Sequence, residues 1–205
     1  HAGRLEPGMG LMPPGRKLGT IGTIRRHPVK SMAGEVVPRA IASHAGLVGD
    51  RVWSFIDEAA PGHFPWFSGR TLGPLVTFRP RFVSPERTLA DAALEAAWAR
   101  GSTVAPALPS DHAFAVMVAT PDGDELAIDD PALLAKLQAA SGRTLSLRFA
   151  TRGMQDCRPL SLVATQTLDG FAAETGTAND PARFRMNIAF DWPGAAPFAE
   201  ASLVG

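Results

Sequence analysis

The chain has 205 residues and a formal net charge of zero, from 20 Lys plus Arg and 20 Asp plus Glu. That balance argues against a broadly basic nucleic-acid or anionic-membrane surface, and 45% hydrophobic with 20% charged residues excludes disorder as the main state. No apolar run reaches the roughly 18–20 residues of a membrane-spanning helix, and the single cysteine, Cys157, excludes an internal disulfide and any multi-thiolate metal site.

Residues 1–17 are rich in Gly and Pro, show no periodicity and lack the apolar core of a secretory signal. They read as a flexible lead-in. From Leu18 the pattern turns to β. Thr20–Arg26 mixes β-branched and polar residues, Val36-Val37 to Ile41 suggests a second strand, and Arg51–Asp57 follows the turn pair Gly49-Asp50 as a third. Ala59 to Pro80, with Phe64, Trp66 and Phe67, reads as a long structured loop. Alternation returns at Val76–Phe78 and Phe82-Val83. Ala113–Ala119, the turn Pro121–Asp124 and Glu125–Ile128 form a strand, turn and strand. Asp130-Pro131 opens a helix that Ser141-Gly142 closes. A strand over Leu145–Phe149 follows. Thr165 or Thr167 can cap a helix ended by Gly176, and Phe184–Phe190 is the last strand. This order lacks regular βαβ alternation. It predicts an α+β fold, mainly β, with barrel-like sheets.

The common catalytic signatures are missing. His27, His44, His63 and His112 have no zinc spacing. No nucleophile elbow, phosphate-binding P-loop or dinucleotide fingerprint occurs. Asp122-x-Asp124 is a turn without the rest of a calcium loop.

Three segments stand out. A strand runs into Pro28 and then offers Lys30 and Ser31, a point charge beside a hydroxyl, which is a common phosphate grip. The alternative is a solvated strand end. Asp50-Arg51 lies between glycines and a strand, where Arg51 could fork onto an anionic oxygen pair or simply pair with its neighbour. On a strand, Arg183, Arg185 and Asn187 would share one polar face opposite Phe184, Met186 and Ile188. That face makes either an anion cradle or an exposed surface. Near it in the reading lie Asp156 and Cys157, before Pro159-Leu160.

Together these segments resemble the molybdenum-cofactor-sulfurase C-terminal (MOSC) domain family, with the β-barrel half that often precedes that domain. The strings HPVKSMAGE (27–35), GLVGDRVW (46–53), DCRPLSL (156–162), RFRMN (183–187) and PFAEASLVG (197–205) carry the resemblance in the family's order. It implies an N-terminal β-barrel-like domain over 18–130 and an incomplete MOSC barrel over 131–205. It implies a molybdenum cofactor of the molybdopterin type, contacted by Lys30, Ser31, Arg51, Asp156, Cys157, Arg185 and Asn187, with Arg183 in the same motif. Met186 stands where the family usually has proline. A phosphate and a pterin rich in donors and acceptors suit such residues.

The chain resembles the family's best-studied branch, which includes the amidoxime-reducing component. The resemblance therefore implies reduction of N-oxygenated small molecules, with electrons from a separate donor protein. In that branch the metal's thiolate ligand lies downstream, in a segment resembling R-C-x-x-T-x-D. The chain reaches Gly205 before such a segment, so it reads as a fragment with no metal ligand of its own. The alternatives are a non-catalytic cofactor or sulfur carrier, in which Cys157 would gain importance, and a truncated binding remnant. No catalytic residue is assigned. No nucleic-acid partner and no membrane span are expected, and the expected location is cytoplasmic.

Overall fold

The computed structural model describes residue 15 and residues 17–89, 92–101, 114–157 and 159–203. Most of the expected lead-in (1–14 and 16), the start of the 113–119 strand at Ala113, and the end of the last string at 204–205 lie outside the described residues.

The elements, in order, are β1 (Thr20–Arg26), β2 (Glu35–Val37), β3 (Ala42–Ser43), β4 (Gly46–Leu47), β5 (Trp53–Asp57), β6 (Arg79–Phe82), α1 (Glu86–Leu89), α2 (Ala92–Ala99), β7 (Val116–Ala119), β8 (Glu125–Ala127), α3 (Pro131–Ser141), β9 (Leu145–Phe149), β10 (Leu162–Ala164), α4 (Thr165–Thr175) and β11 (Ile188–Asp191). The fold is α+β, built on four small sheets, none of which closes into a barrel among the described residues. The largest has the order β10-β11-β1-β2, with β10 and β11 parallel across α4 and the other pairs antiparallel. β5 pairs with β9, and β6, β7 and β8 form an antiparallel meander. The first strand is thus held by the last, and β5 by β9, so two pairings join chain on either side of residue 130. No helix among the described residues is long and apolar enough to cross a membrane.

The core explains why β5 and β9 meet. Phe55, Val52 and Leu145 are buried there with Phe67, Phe82, Phe114 and Val118. The Phe149 ring lies 4.6 Å from Trp53 and 5.7 Å from Phe114. The Trp53 indole N–H satisfies itself on the Phe114 carbonyl at 2.8 Å, as a part-buried indole must. α3 follows its sequence signals closely. The Asp130 side chain accepts from the Ala132 N–H, Pro131 occupies the first turn, and Gly142 ends the helix at φ 66°. Its Leu133 and Leu137, one turn apart, are fully buried, and each contributes about 2 kcal/mol by leaving water.

Several expectations are corrected. Pro38 cannot donate to a ladder, and the second strand stops at Val37. Val76 and Thr77 belong to a 3-10 turn over Gly73–Thr77 that Pro74 initiates, not to a strand. Neither Thr165 nor Thr167 caps α4; its N-cap is Ala164, and the Thr167 hydroxyl instead bonds Glu200 at 2.8 Å. The last strand begins at Ile188 rather than Phe184, because Asp180-Pro181 nucleates a 3-10 turn over Pro181–Phe184. The proposed common face of Arg183, Arg185 and Asn187 therefore does not exist as a strand face.

Gly46 shows how closely β4 approaches the 156–162 segment. Its φ is 112°, and a Cβ there would meet the Pro159 carbonyl oxygen at 2.2 Å. Gly46→Ala is expected to cost about 2 kcal/mol or more, measured as a lower urea midpoint with an unchanged m-value.

Candidate functional site

Beyond β1 the chain crosses from the large sheet to β5 and is stitched to it. The Arg51 N–H donates to His27 O at 2.5 Å, Trp53 N–H to Pro28 O at 3.1 Å and Lys30 N–H to Trp53 O at 2.8 Å. These bonds set residues 27–30 beside 51–53. The 154–156 segment joins them, as the Met154 N–H donates to Arg51 O at 2.8 Å. The 3-10 turn before β11 completes the arrangement.

A cleft of about 350 Å³ opens where these segments meet, lined by Lys30, Ser31, Arg51, Arg70, Asp156 and Arg185 together with Phe64 and Val76. Five of the eight residues expected from the sequence are thus brought together. Four cations face one acid. The Lys30 ammonium is buried; it donates to Met154 O at 2.6 Å and to Asp156 Oδ1 at 2.7 Å, and lies 5.1 Å from the Trp66 ring centre. Burial pushes its pKa down, against the upward pull of Asp156. Arg51 pairs with Asp50 and reaches Arg185 O at 3.2 Å. Arg185 donates through Nη1 to Met32 O, while its Nη2 is buried with no partner. Burial, and then the neighbouring Arg51 charge, lower the Arg185 pKa to about 10.

Ser31, Arg51 and Arg185 have φ of 67°, 54° and 54°. These are three of the four non-glycine residues in the left-handed region among those described, and all three line the cleft. Such conformations cost on the order of 1–3 kcal/mol each and gather at functional sites.

The remaining three expected residues lie elsewhere. Asn187 is buried outside the cleft wall. Its Oδ1 accepts from Ser161 N at 3.2 Å and Oγ at 3.0 Å, and its Nδ2 donates to Arg25 O at 3.2 Å. These bonds brace the chain next to Arg185. Cys157 is exposed and does not line the cleft. Arg183 lines an adjoining groove that shares Arg185 and Val76 with the cleft.

Sequence reasoning missed the layer beneath. Asp50 is fully buried; its Oδ1 accepts from the His27 N–H at 2.7 Å and lies 3.4 Å from the His27 ring Nδ1. Burial alone would raise this carboxyl, but the hydrogen bond with His27 and the Arg51 charge outweigh it and hold it below its usual range. Arg70, 5.5 Å from the Phe64 ring centre, also escaped notice. Its only signal was a basic residue inside an aromatic loop. Among the described residues no cluster of three or more His, Cys, Asp or Glu could hold a metal ion.

A family model described as the MOSC N-terminal beta barrel domain matches residues 18–128, more than half of the chain. The match includes Lys30, Ser31 and Arg51 and stops before Asp156 and Arg185. No curated protein matches the chain.

His27 provides a test of the buried layer. Burial first, then the Arg185 and Arg51 charges, lower its pKa from 6.5 to about 4, although Asp50 pulls the other way. Between those values the unfolded chain binds a proton that the folded chain refuses. Stability is therefore full above pH 6.5 and falls as the pH drops toward 4. The loss is on the order of 3 kcal/mol. The Asp50 contribution lies in a separate window, since a depressed carboxyl loses stability only as the pH falls below 3.8. Urea unfolding at pH 7 and pH 4.5 should show the loss in the wild type and a smaller one in His27→Gln; an equal loss in both would remove His27 as the cause.

Proposed function

Because the chain belongs to the MOSC N-terminal beta barrel domain family, we propose that its cleft takes the phosphate end of a molybdopterin-type cofactor in an oxidoreductase that reduces N-oxygenated small molecules. The family is related to molybdenum cofactor sulfurase. The observation that carries the reading is the Arg185 guanidinium, buried at the cleft with Nη2 unpartnered beside Arg51, Lys30 and Ser31. A buried donor without an acceptor is costly, and a phosphate oxygen would remove that cost.

The donor set fits such a group. Arg185 and Arg51 offer planar forks, Lys30 a point charge and Ser31 a hydroxyl. A cleft of about 350 Å³ is at the small end of ligand cavities, roughly 300–1,000 Å³. Asp156 would both hold the Lys30 ammonium and offer an acceptor to pterin N–H groups. When bound, the cofactor supplies the oxygen-atom and electron chemistry. The protein's part is to bind, orient and neutralise. An N-hydroxylated substrate would take up two electrons and two protons and release water, with the electrons delivered by a separate protein. In this reading residues 18–130 form the N-terminal domain and 131–205 enter the MOSC domain.

The test is occupancy. Full-length protein from a host that makes the cofactor should carry molybdenum and yield a fluorescent oxidised pterin. Arg185→Ala and Lys30→Ala should each lower both signals about tenfold or more, equivalent to roughly 1.4 kcal/mol, with an unchanged far-UV circular dichroism spectrum. Wild-type protein that carries neither signal would overturn the proposal.

A further inference from the structure

Beside the cleft lies a groove of about 450 Å³ lined by Arg25, Arg79, Arg183 and Arg185, with Asp180 and Gly34 in its wall. We propose that this groove is a second anion site, for a phosphate-class dianion, distinct from the cleft. It shares Arg185 with the cleft, has Arg25, Arg79 and Arg183 of its own, and needs no molybdenum cofactor.

Charge is the first argument. Four guanidiniums converge and one carboxylate faces them. Asp180 Oδ1 accepts from the Ala182 N–H at 2.8 Å and opens the 3-10 turn, and its single negative charge stands against four positive ones. Among the described residues none of the four arginines makes an ion pair. Arg185 feels the neighbouring Arg51 and Arg25 charges, with buried Asp50 pulling the other way.

The second argument is unfilled donors. Arg25 Nε and Arg185 Nη2 are both buried without a partner, and a ligand oxygen is the group that would satisfy them. Neither arginine is a loose surface arm. The Arg25 backbone is clamped by Asn187, through Arg25 N–H to Asn187 O at 2.7 Å and Asn187 Nδ2 to Arg25 O at 3.2 Å. Arg185 is tethered to Met32 O.

Arg26, next along β1, shows how this fold treats an arginine used for packing. It points to the opposite side and meets Glu35 at 2.6 Å, Thr88 Oγ1 at 2.7 Å and the Phe82 ring at 4.4 Å. It too keeps one unpartnered nitrogen, Nη2, but its charge is answered by a carboxylate. Among the described residues the four groove arginines have no such ion pair. The shape of the wall agrees. A Cβ on Gly34 would lie 2.9 Å from Arg25 Cδ and 2.7 Å from the His27 ring, so glycine is what lets the Arg25 side chain pack this closely along the wall. Forked donors from several sides suit a tetrahedral dianion.

Such an anion has two sources: a separate phosphorylated small molecule, or a second phosphate on a ligand whose first anionic group sits in the cleft, since Arg185 borders both. Calorimetry of the full chain with inorganic phosphate, in chloride near physiological strength, tests the site. Wild type should bind two equivalents. The double variant Arg79→Ala/Arg183→Ala, at two exposed positions, should lose the groove equivalent and keep the one that Lys30→Ala weakens. A pyrophosphate arm separates the sources. One equivalent binding over tenfold tighter than phosphate, with the gain lost in the double variant, supports a bridging ligand; two equivalents with no gain support a separate one. Phosphate binding of unchanged stoichiometry and affinity in the double variant overturns the proposal. That result leaves the cofactor reading standing, because the cleft equivalent and its dependence on Lys30 are read separately.

Discussion

The site depends on one buried charge. Asp50 has no solvent exposure and holds three pieces of chain at once. Its carboxylate takes the His27 N–H and pairs with Arg51, and its backbone oxygen accepts from the Gln155 side chain at 3.2 Å. A carboxylate removed from water is tolerated only when paired and hydrogen-bonded. Asp50 meets both conditions, and in meeting them it fixes the segments that carry Lys30, Arg51 and Asp156. His27 is the other half of the clamp. It stays neutral because burial and two nearby guanidiniums outweigh the pull of Asp50, so it supports the carboxylate without adding a cation to an already cationic neighbourhood.

That clamp and further local backbone bonds hold three residues in a backbone region that L residues avoid. Arg51 is bonded on both sides of its peptide, through N–H to His27 and O to Met154. Ser31 sits between Lys30 and Met32, whose N–H groups bond Trp53 and Val29. Arg185 closes the 3-10 turn through its own N–H on Ala182. The surrounding bonds over-determine each conformation, and the result is to aim all three side chains at one cleft. A strand would have sent alternate residues to opposite faces.

What was legible in the sequence follows the same physics. α3 could be read closely because its cap, proline and terminal glycine act within a few residues. Lys30, Ser31, Arg51, Asp156 and Arg185 could be named because their strings resemble a family. Their meeting could not be derived, since it rests on contacts such as that between Lys30 and Asp156, 126 residues apart. The strand expected over 184–190 failed where a local signal was overlooked: Asp180-Pro181 starts a 3-10 turn and the alternation of Arg183 and Arg185 is incidental to it. Asn187 is named among the cofactor contacts by the same resemblance, and in the structure its side chain bonds Ser161 and Arg25. Asp50 was noticed only as a turn residue, because burial is not written in a dipeptide.

The zero net charge takes its meaning from where the charges sit. Several cations outside the cleft lining sit in exposed or partly exposed pairs, such as Arg81 with Glu125 and Lys136 with Asp122 and Asp124, and such pairs contribute little to stability. Arg26 is spent on packing with Glu35. What remains around the cleft and its neighbouring groove is a cationic excess that the fold does not neutralise. Arg185 belongs to both cavities and keeps an unanswered buried donor. A protein with 20 acids among its 205 residues could have placed one there. Among the described residues no acid forms an ion pair with Arg185, although buried Asp50 acts on it at longer range; an anion from outside is the partner that the proposal assigns to this face.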